Sequence, residues 1–323
     1  MKKQFKTLLG ALLSASMLIF GLNAAAQSWP NRTVRLVIPF GAGGTADVTA
    51  RVIAQDLSQR WGQQVLVDNK PGGDTVIAAA EVLRAAPDGY TLLMAINSTL
   101  TLTPHTLAKV PYDPVNDFTY VGQLTSVPML LLVSDTSPAK NLNDLIDMAK
   151  ARPSDLNAGG PATVTQLLLE QFARQAKIKF TWVPYKSGPD TTKALMGGEI
   201  QLAVDAVPNN LPFIQNGKFK ALAVTTPSRL STLPNVPTLL ELGMKDQRVS
   251  LSHIMLAPRG MTPALLKKIQ SDVQASVTSD AVKDKLLSLG VQTNWRDGVE
   301  LAKSVQLESP ATATLVQELG LKP

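Results

Sequence analysis

The stretch Leu36-Val37-Ile38-Pro39-Phe40-Gly41-Ala42-Gly43-Gly44-Thr45-Ala46-Asp47 decides the fold. Val34 and the run Leu36 to Ile38 form a short apolar, β-branched segment, the pattern of a strand in a parallel sheet. Gly41, Gly43 and Gly44 allow a ligand close to the backbone. An amphipathic helix is predicted behind them, with Ala46, Ala50, Ile53, Ala54, Leu57 and Trp61 on one stripe. Two readings fit such a strand, glycine loop and helix start. Its free N–H groups bind an anion, or it is a tight turn without a ligand.

The pattern continues outward from this unit. Gln64 to Val67 reads as a second strand, ending in the turn cluster Asn69-Lys70-Pro71-Gly72-Gly73. An alanine-rich helix follows from Val76 to Ala86, stopped by Pro87-Asp88-Gly89, and a third strand from Tyr90 to Ala95. This alternation predicts a parallel α/β sheet. Asn97, Ser98 and Thr99 follow a strand end, where such sheets bind ligands. The rhythm restarts after about residue 125, with strands around Pro128 and a second glycine-rich loop, Gly159-Gly160-Pro161-Ala162-Thr163, opening a helix. A later strand ends at Asp205, and another runs from Val249 to Leu256. The C-terminal helices, beginning at Pro263, Ala281 and Val299, show no strand partners of their own and are expected to pack back on the first lobe.

Residues 1–26 stand apart from this pattern. Lys2, Lys3 and Lys6 precede an apolar run from Leu8 to Leu22, and Ala24-Ala25-Ala26 offers small residues for cleavage before Gln27, the layout of an export signal. Beyond residue 26 stand 28 basic and 25 acidic residues, a net of +3. That mild surplus, with no Lys/Arg block, is no nucleic-acid footprint and modestly favours small anions. The chain has no cysteine, which excludes thiolate chemistry and Cys-based zinc sites.

Chemical motifs are sparse. No Gly-x-Ser-x-Gly elbow and no Gly-Lys-Ser/Thr follow the glycines, so a serine-hydrolase elbow and a phosphate-binding P-loop are excluded. Gly41-Ala42-Gly43 with Ala46 is half a dinucleotide fingerprint. Asp47 reads either as a catalytic acid or as a helix-dipole partner, and Asp205 as a catalytic acid or a turn cap. The only histidines, His105 and His253, are far apart. His105, beside Pro104, reads as an exposed loop residue, and His253 as a core histidine or a polar group at a pocket wall. No nucleophile–base–orienter set emerges.

Together, Trp29-Pro30-x-Arg32-x-Val34-Arg35-Leu36-Val37-Ile38-Pro39-Phe40 with Gly43, Gly44 and Asp47 resembles the mature start of the tripartite tricarboxylate transporter receptors, the TctC or Bug family. Further matches, in order, are Asn69-Lys70-Pro71-Gly72, Pro87-Asp88-Gly89-Tyr90-Thr91-Leu92-Leu93, Pro111-Tyr112-Asp113-Pro114, Val183-Pro184-Tyr185-Lys186, Leu233-Pro234-x-Val236-Pro237-Thr238 and Ala257-Pro258-x-Gly260. The resemblance implies a type II-like periplasmic binding protein fold of two α/β lobes joined by two crossover segments around a ligand cleft. Lobe I would comprise 27–126 and 249–323, and lobe II 127–248, with hinges near 125–128 and 247–251. It implies a monomer that takes a carboxylate, needs no cofactor, metal or nucleic acid, and hands its ligand to membrane permease subunits. A sensory module for a signalling partner and a secreted α/β enzyme are the alternatives.

The family's first loop carries over to Phe40, Gly41, Ala42, Gly43, Gly44 and Asp47. Its Gly-Ser-x-x-His loop maps onto residues 162–166, placing Thr163, Val164 and Gln166, with Gln166 for the histidine. Lys186 carries over from a Tyr-Lys-Gly element. With Ser98, Thr99, Asp205 and His253, these are the candidate ligand contacts. Three departures stand out. The family's Pro-Gly-Ala-Gly-Gly turn reads Pro71-Gly72-Gly73-Asp74-Thr75; Ser187 replaces the glycine after Lys186; and Ser252, next to His253, replaces a tryptophan. A lost ring at the cleft is expected to widen the pocket toward an aromatic or bulky mono- or dicarboxylate and to bring His253 to the wall.

The first residues generate a direct test. Mass spectrometry of the exported protein is expected to find an N-terminus at Gln27 or within a residue or two of it. A membrane-associated protein that keeps Met1 rejects the assignment.

Overall fold

A computed structural model describes residues 29–153, 155–244 and 251–321. The proposed export signal lies outside these residues, as does most of the 247–251 segment.

The chain opens with β1 (Val34–Ile38), α1 (Thr45–Trp61), β2 (Val65–Asn69), α2 (Val76–Leu83) and β3 (Thr91–Ile96), then two short helices, α3 (Ser98–Thr101) and α4 (Thr103–Thr106), and β4 (Phe118–Val127). The next section holds β5 (Met129–Ser134), α5 (Leu142–Ala151), β6 (Asn157–Gly160), α6 (Thr163–Ala176), β7 (Thr181–Pro184), α7 (Gly188–Gly197), β8 (Leu202–Ala206), α8 (Val207–Gln215) and β9 (Phe219–Val224). The chain then forms β10 (Leu251–Pro258), α9 (Pro263–Val277), α10 (Asp280–Ser288), β11 (Gln292–Asp297) and α11 (Gly298–Glu318). Two mixed sheets result, ordered β11-β4-β10-β3-β1-β2 and β7-β6-β8-β5-β9. β1 is parallel to β2 and β3, as the sequence predicts. β10 and β4, which return from the far end of the sheet, are antiparallel to their neighbours.

The helix stripe of the opening unit explains how the first sheet is covered. Ala46, Ala50, Ile53, Ala54, Leu57 and Trp61 are all buried, and they share one core with Val34, Leu36 and Ile38 of β1 and with Ile269 and Val273 of α9. Burying each large aliphatic side chain contributes about 1.5–3 kcal/mol. Trp61 remains satisfied in that core because its indole N–H donates to Asp272 at 2.8 Å. Gly62, at φ 61°, closes α1 in the left-handed conformation that favours glycine.

Two sequence expectations need correction. The C-terminal helices do have a strand: β11 lies between α10 and α11 and pairs antiparallel with β4 at the sheet edge. Its sequence, Gln292-Thr293-Asn294-Trp295-Arg296-Asp297, lacks apolar alternation because only an edge ladder holds it. Gly159 and Gly160 form the end of β6 rather than a loop. A Cβ on Gly159 would lie 2.7 Å from the Val183 carbonyl oxygen, and one on Gly160 would lie 2.6 Å from that of Val204. These glycines allow neighbouring strands to approach.

That steric account separates two substitutions. Gly160→Ala meets backbone in a packed sheet and is expected to lower stability by about 1–3 kcal/mol. Gly197→Ala, at the end of α7 with open space around its Cβ position, is expected to be neutral or stabilising by up to about 1 kcal/mol. Denaturant unfolding of both variants checks the contrast.

Candidate functional site

A cavity of about 60 Å³ lies between the two sheets at the C-terminal ends of β1, β3, β6 and β8. Four helices begin at its wall. α1 contributes Gly44, Thr45 and Ala46; α6 contributes Val164 and Thr165, with Ala162 as cap. α7 contributes Ser187 and Gly188, and α8 contributes Asn209 after its cap Ala206. First-turn N–H groups have no partner within a helix, and the dipoles add positive potential where the ends converge. No lysine or arginine lines the cavity among the described residues. Attraction for an anion here comes from main-chain dipoles.

The opening loop is held by a carboxylate. Asp47 accepts hydrogen bonds from the Gly43 N–H at 2.9 Å, from Arg51 at 3.0 Å and from Asn69 at 3.0 Å. Asn69 also donates to the Phe40 carbonyl at 2.9 Å, closing the turn from the neighbouring strand. Burial pushes the Asp47 carboxyl upward, but the bonds from Arg51, Gly43 and Asn69 prevail and hold it below the usual carboxylate range. The Gly43 N–H is therefore committed to Asp47, and neither Ala42 nor Gly43 stands in the wall. Thr45 and Ala46, in the first turn of α1, are wall residues whose N–H groups helical geometry leaves open.

Asp205 is buried on the opposite side. It accepts from the Ala206 N–H at 2.7 Å, from Asn209 at 3.0 and 3.1 Å and from Asn210 at 2.9 Å. Burial pushes its pKa up to about 6 against those bonds. Asn209 extends the network across the cleft, since its Oδ1 accepts from the Thr45 hydroxyl at 3.0 Å. Gly188 permits this packing: a Cβ there would lie 2.6 Å from Asn209 Cγ. His253 lines the wall from β10, its Nδ1 2.8 Å from the Thr125 hydroxyl. Burial pulls its pKa down to about 4. The ring is neutral at physiological pH, and Nε2 is its remaining polar atom for a ligand.

Of the residues singled out from sequence, Phe40, Gly41, Gly44, Val164, Asp205 and His253 meet in this wall. Thr163 stands between the wall residues Ala162 and Val164, its N–H directed to Asp74 at 3.4 Å. Gln166 lies one turn further along α6 and hydrogen-bonds Glu170. Lys186 is exposed, while its neighbour Ser187 faces inward. Ser98 and Thr99 lie in α3, with Ser98 in the wall of a separate cavity and the Thr99 carbonyl accepting from the Tyr112 hydroxyl at 2.7 Å. His105 is not a free loop residue; it sits in α4 with Nε2 2.8 Å from the Ser309 hydroxyl. Thr165, Ser187 and Asn209 lie outside the candidates read from the sequence. The spacing from Asp205 to Asn209 and Asn210 across a strand end was the available signal for Asn209.

The expected widening does not reach this cavity. Ser252 and His253 alternate across β10, and Ser252 faces another cavity of about 280 Å³ beside Pro128 and Thr225. The cavity lined by His253, at about 60 Å³, is under half of the roughly 150 Å³ that accommodates benzene.

Two α/β lobes with helix starts converging on the cleft between them define a ligand-binding protein of the periplasmic binding protein fold. Residues 49–321 match the family model described as the tripartite tricarboxylate transporter family receptor, TctC. A UPF0065 protein of Bordetella pertussis is 30% identical over 98% of both chains. Among solved structures, a Rhodopseudomonas palustris protein with adipate superposes at a TM-score of 0.87, with 32% identity over 90% of this chain and 98% of that one. MatC from the same species, with bound malate, superposes at 0.83, with 30% identity over 89% and 100%. The chain belongs to the TctC receptor family.

The Asp205 carboxyl sets a pH dependence. Below pH about 6 it is neutral, and above it a negative charge stands in the wall. Affinity for an anionic ligand is therefore expected to fall as pH rises from 5 to 7.5. A repulsion of about 1.4 kcal/mol corresponds to roughly tenfold. His253 is neutral throughout that range and does not contribute. Calorimetric titration across the range should show the fall in the wild type and a flat profile in Asp205→Asn.

Proposed function

We propose that this protein is a periplasmic solute receptor that closes on a small organic carboxylate and delivers it to tripartite tricarboxylate-type permease subunits. The observation that carries the reading is the convergence of four helix N-termini on one cavity with no lysine or arginine in its wall among the described residues. Such a site attracts an anion without fixing it in an ion pair, which suits capture followed by release. Adipate and malate in the two solved relatives support a carboxylate as cargo.

In this reading residues 1–26 direct export and are removed. Lobe I comprises 27–126 with 249–323, lobe II comprises 127–248, and the receptor acts as a monomer. The lobes rotate about the hinge near 125–128, with the second hinge assigned near 247–251 and the ligand favouring the closed arrangement. Thr45 and Ala46, with Phe40, Gly41 and Gly44 of the preceding loop, hold the carboxylate, while Asn209, Ser187, Thr165 and His253 read the remainder of the ligand. No covalent step is involved.

A thermal-shift screen of carboxylic acids with matched amides and amines tests this. An acid at one hundred times its dissociation constant stabilises by about 2.7 kcal/mol, a rise in Tm of about 5 °C for a chain of this size. Shifts from amines but not acids, or turnover of a bound acid, reject the proposal.

A further inference from the structure

The four helix starts at the cavity are not equally available. At α8, the Ala206 N–H donates to the buried Asp205. At α7, Asp190 holds the cap hydroxyl of Ser187 at 2.7 Å. At α6, the Thr163 N–H points to Asp74, which comes from the other lobe. At α1, no carboxylate among the described residues accepts from the N–H groups of the wall residues Thr45 and Ala46.

Asp74 is the unusual member of this set. It lies in the Gly73–Thr75 turn at φ 47°, and Thr75 follows at φ 81°. Few side chains adopt that conformation, and a β-branched residue does so with strain. These are the two positions where the family resemblance expects glycine. An aspartate held there against its backbone preference reaches across the cleft and sets its Oδ1 3.4 Å from the Thr163 nitrogen. Its Oδ2 and carbonyl oxygen both lie within reach of the Thr103 hydroxyl, at 3.4 and 3.2 Å. Thr163 sits between the wall residues Ala162 and Val164, so Asp74 engages the first N–H of α6 one residue from the wall.

We propose that Asp74 is a specificity-determining residue that fills the anion position at the start of α6 and restricts the ligand to one carboxylate. The inference rests on the carboxylate reading above and narrows it. A second carboxylate approaching the start of α6 would meet the like charge of Asp74, with no lysine or arginine in the cavity wall to offset it. A ligand whose far end is an amide or hydroxyl instead donates to Asp74 or Asp205. The carboxylate end remains at Thr45 and Ala46.

Half-amides provide matched probes, because succinamate and glutaramate differ from succinate and glutarate in one carboxylate only. Titration calorimetry on the wild type is expected to show tighter binding of each half-amide than of its diacid. Asp74→Gly, which suits the positive φ, and the isosteric Asp74→Asn should each move the diacid-to-half-amide ratio toward the diacid by at least tenfold. Thermal unfolding verifies that both variants fold. A wild type that prefers the diacids, or a ratio unchanged within twofold in both variants, overturns the role of Asp74 while leaving the carboxylate reading intact. If neither wild type nor variants bind any of the four acids at millimolar concentration, the carboxylate reading fails and this inference falls with it.

Discussion

A single residue separates the two sheets where the chain first crosses between them. β4 ends at Val127 in one sheet and β5 begins at Met129 in the other, with Pro128 between. So short a crossing keeps the two sheets adjacent at this point. The Pro128 carbonyl accepts from the Val207 N–H at the start of α8, and Met129 and Thr225 exchange hydrogen bonds from the adjacent strand. The crossing therefore anchors the helix that carries Asn209, and Asn209 meets Thr45 of the other lobe. The cavity exists because both sheets present strand ends and helix starts toward the same gap.

What was legible in the sequence follows from what kind of force places each residue. β1 and α1 are driven by apolar burial, and their patterns survive in the chain as a β-branched run and a stripe at helical spacing. β6 and β11 are not driven that way. Asn157-Ala158-Gly159-Gly160 is a strand because its neighbours leave no room for side chains, and β11 is polar because it pairs on one side only. Neither fact is written locally.

The same division applies at the site. Phe40, Gly41 and Gly44 are found by motif because the loop is local. Lys186 and Ser252 each lie one residue from a wall position, and a single step along the chain turns a side chain away from the cavity. Asn209 becomes important only through its contact with another lobe, which no local pattern contains. The glycine at 43 matters for the shape that lets its N–H reach Asp47 rather than for a donor it offers outward.

A wall whose positive potential comes from peptide groups has an evolutionary consequence. A lysine that binds an acid can be lost by one substitution, whereas the backbone amides of Thr45 and Ala46 persist whatever side chains stand there. Descendants of such a scaffold can exchange every side chain that reads the cargo and still inherit the anchor. On the proposed reading, diversification of uptake proceeds by editing the rim, with the grip on an acid transmitted by the architecture itself.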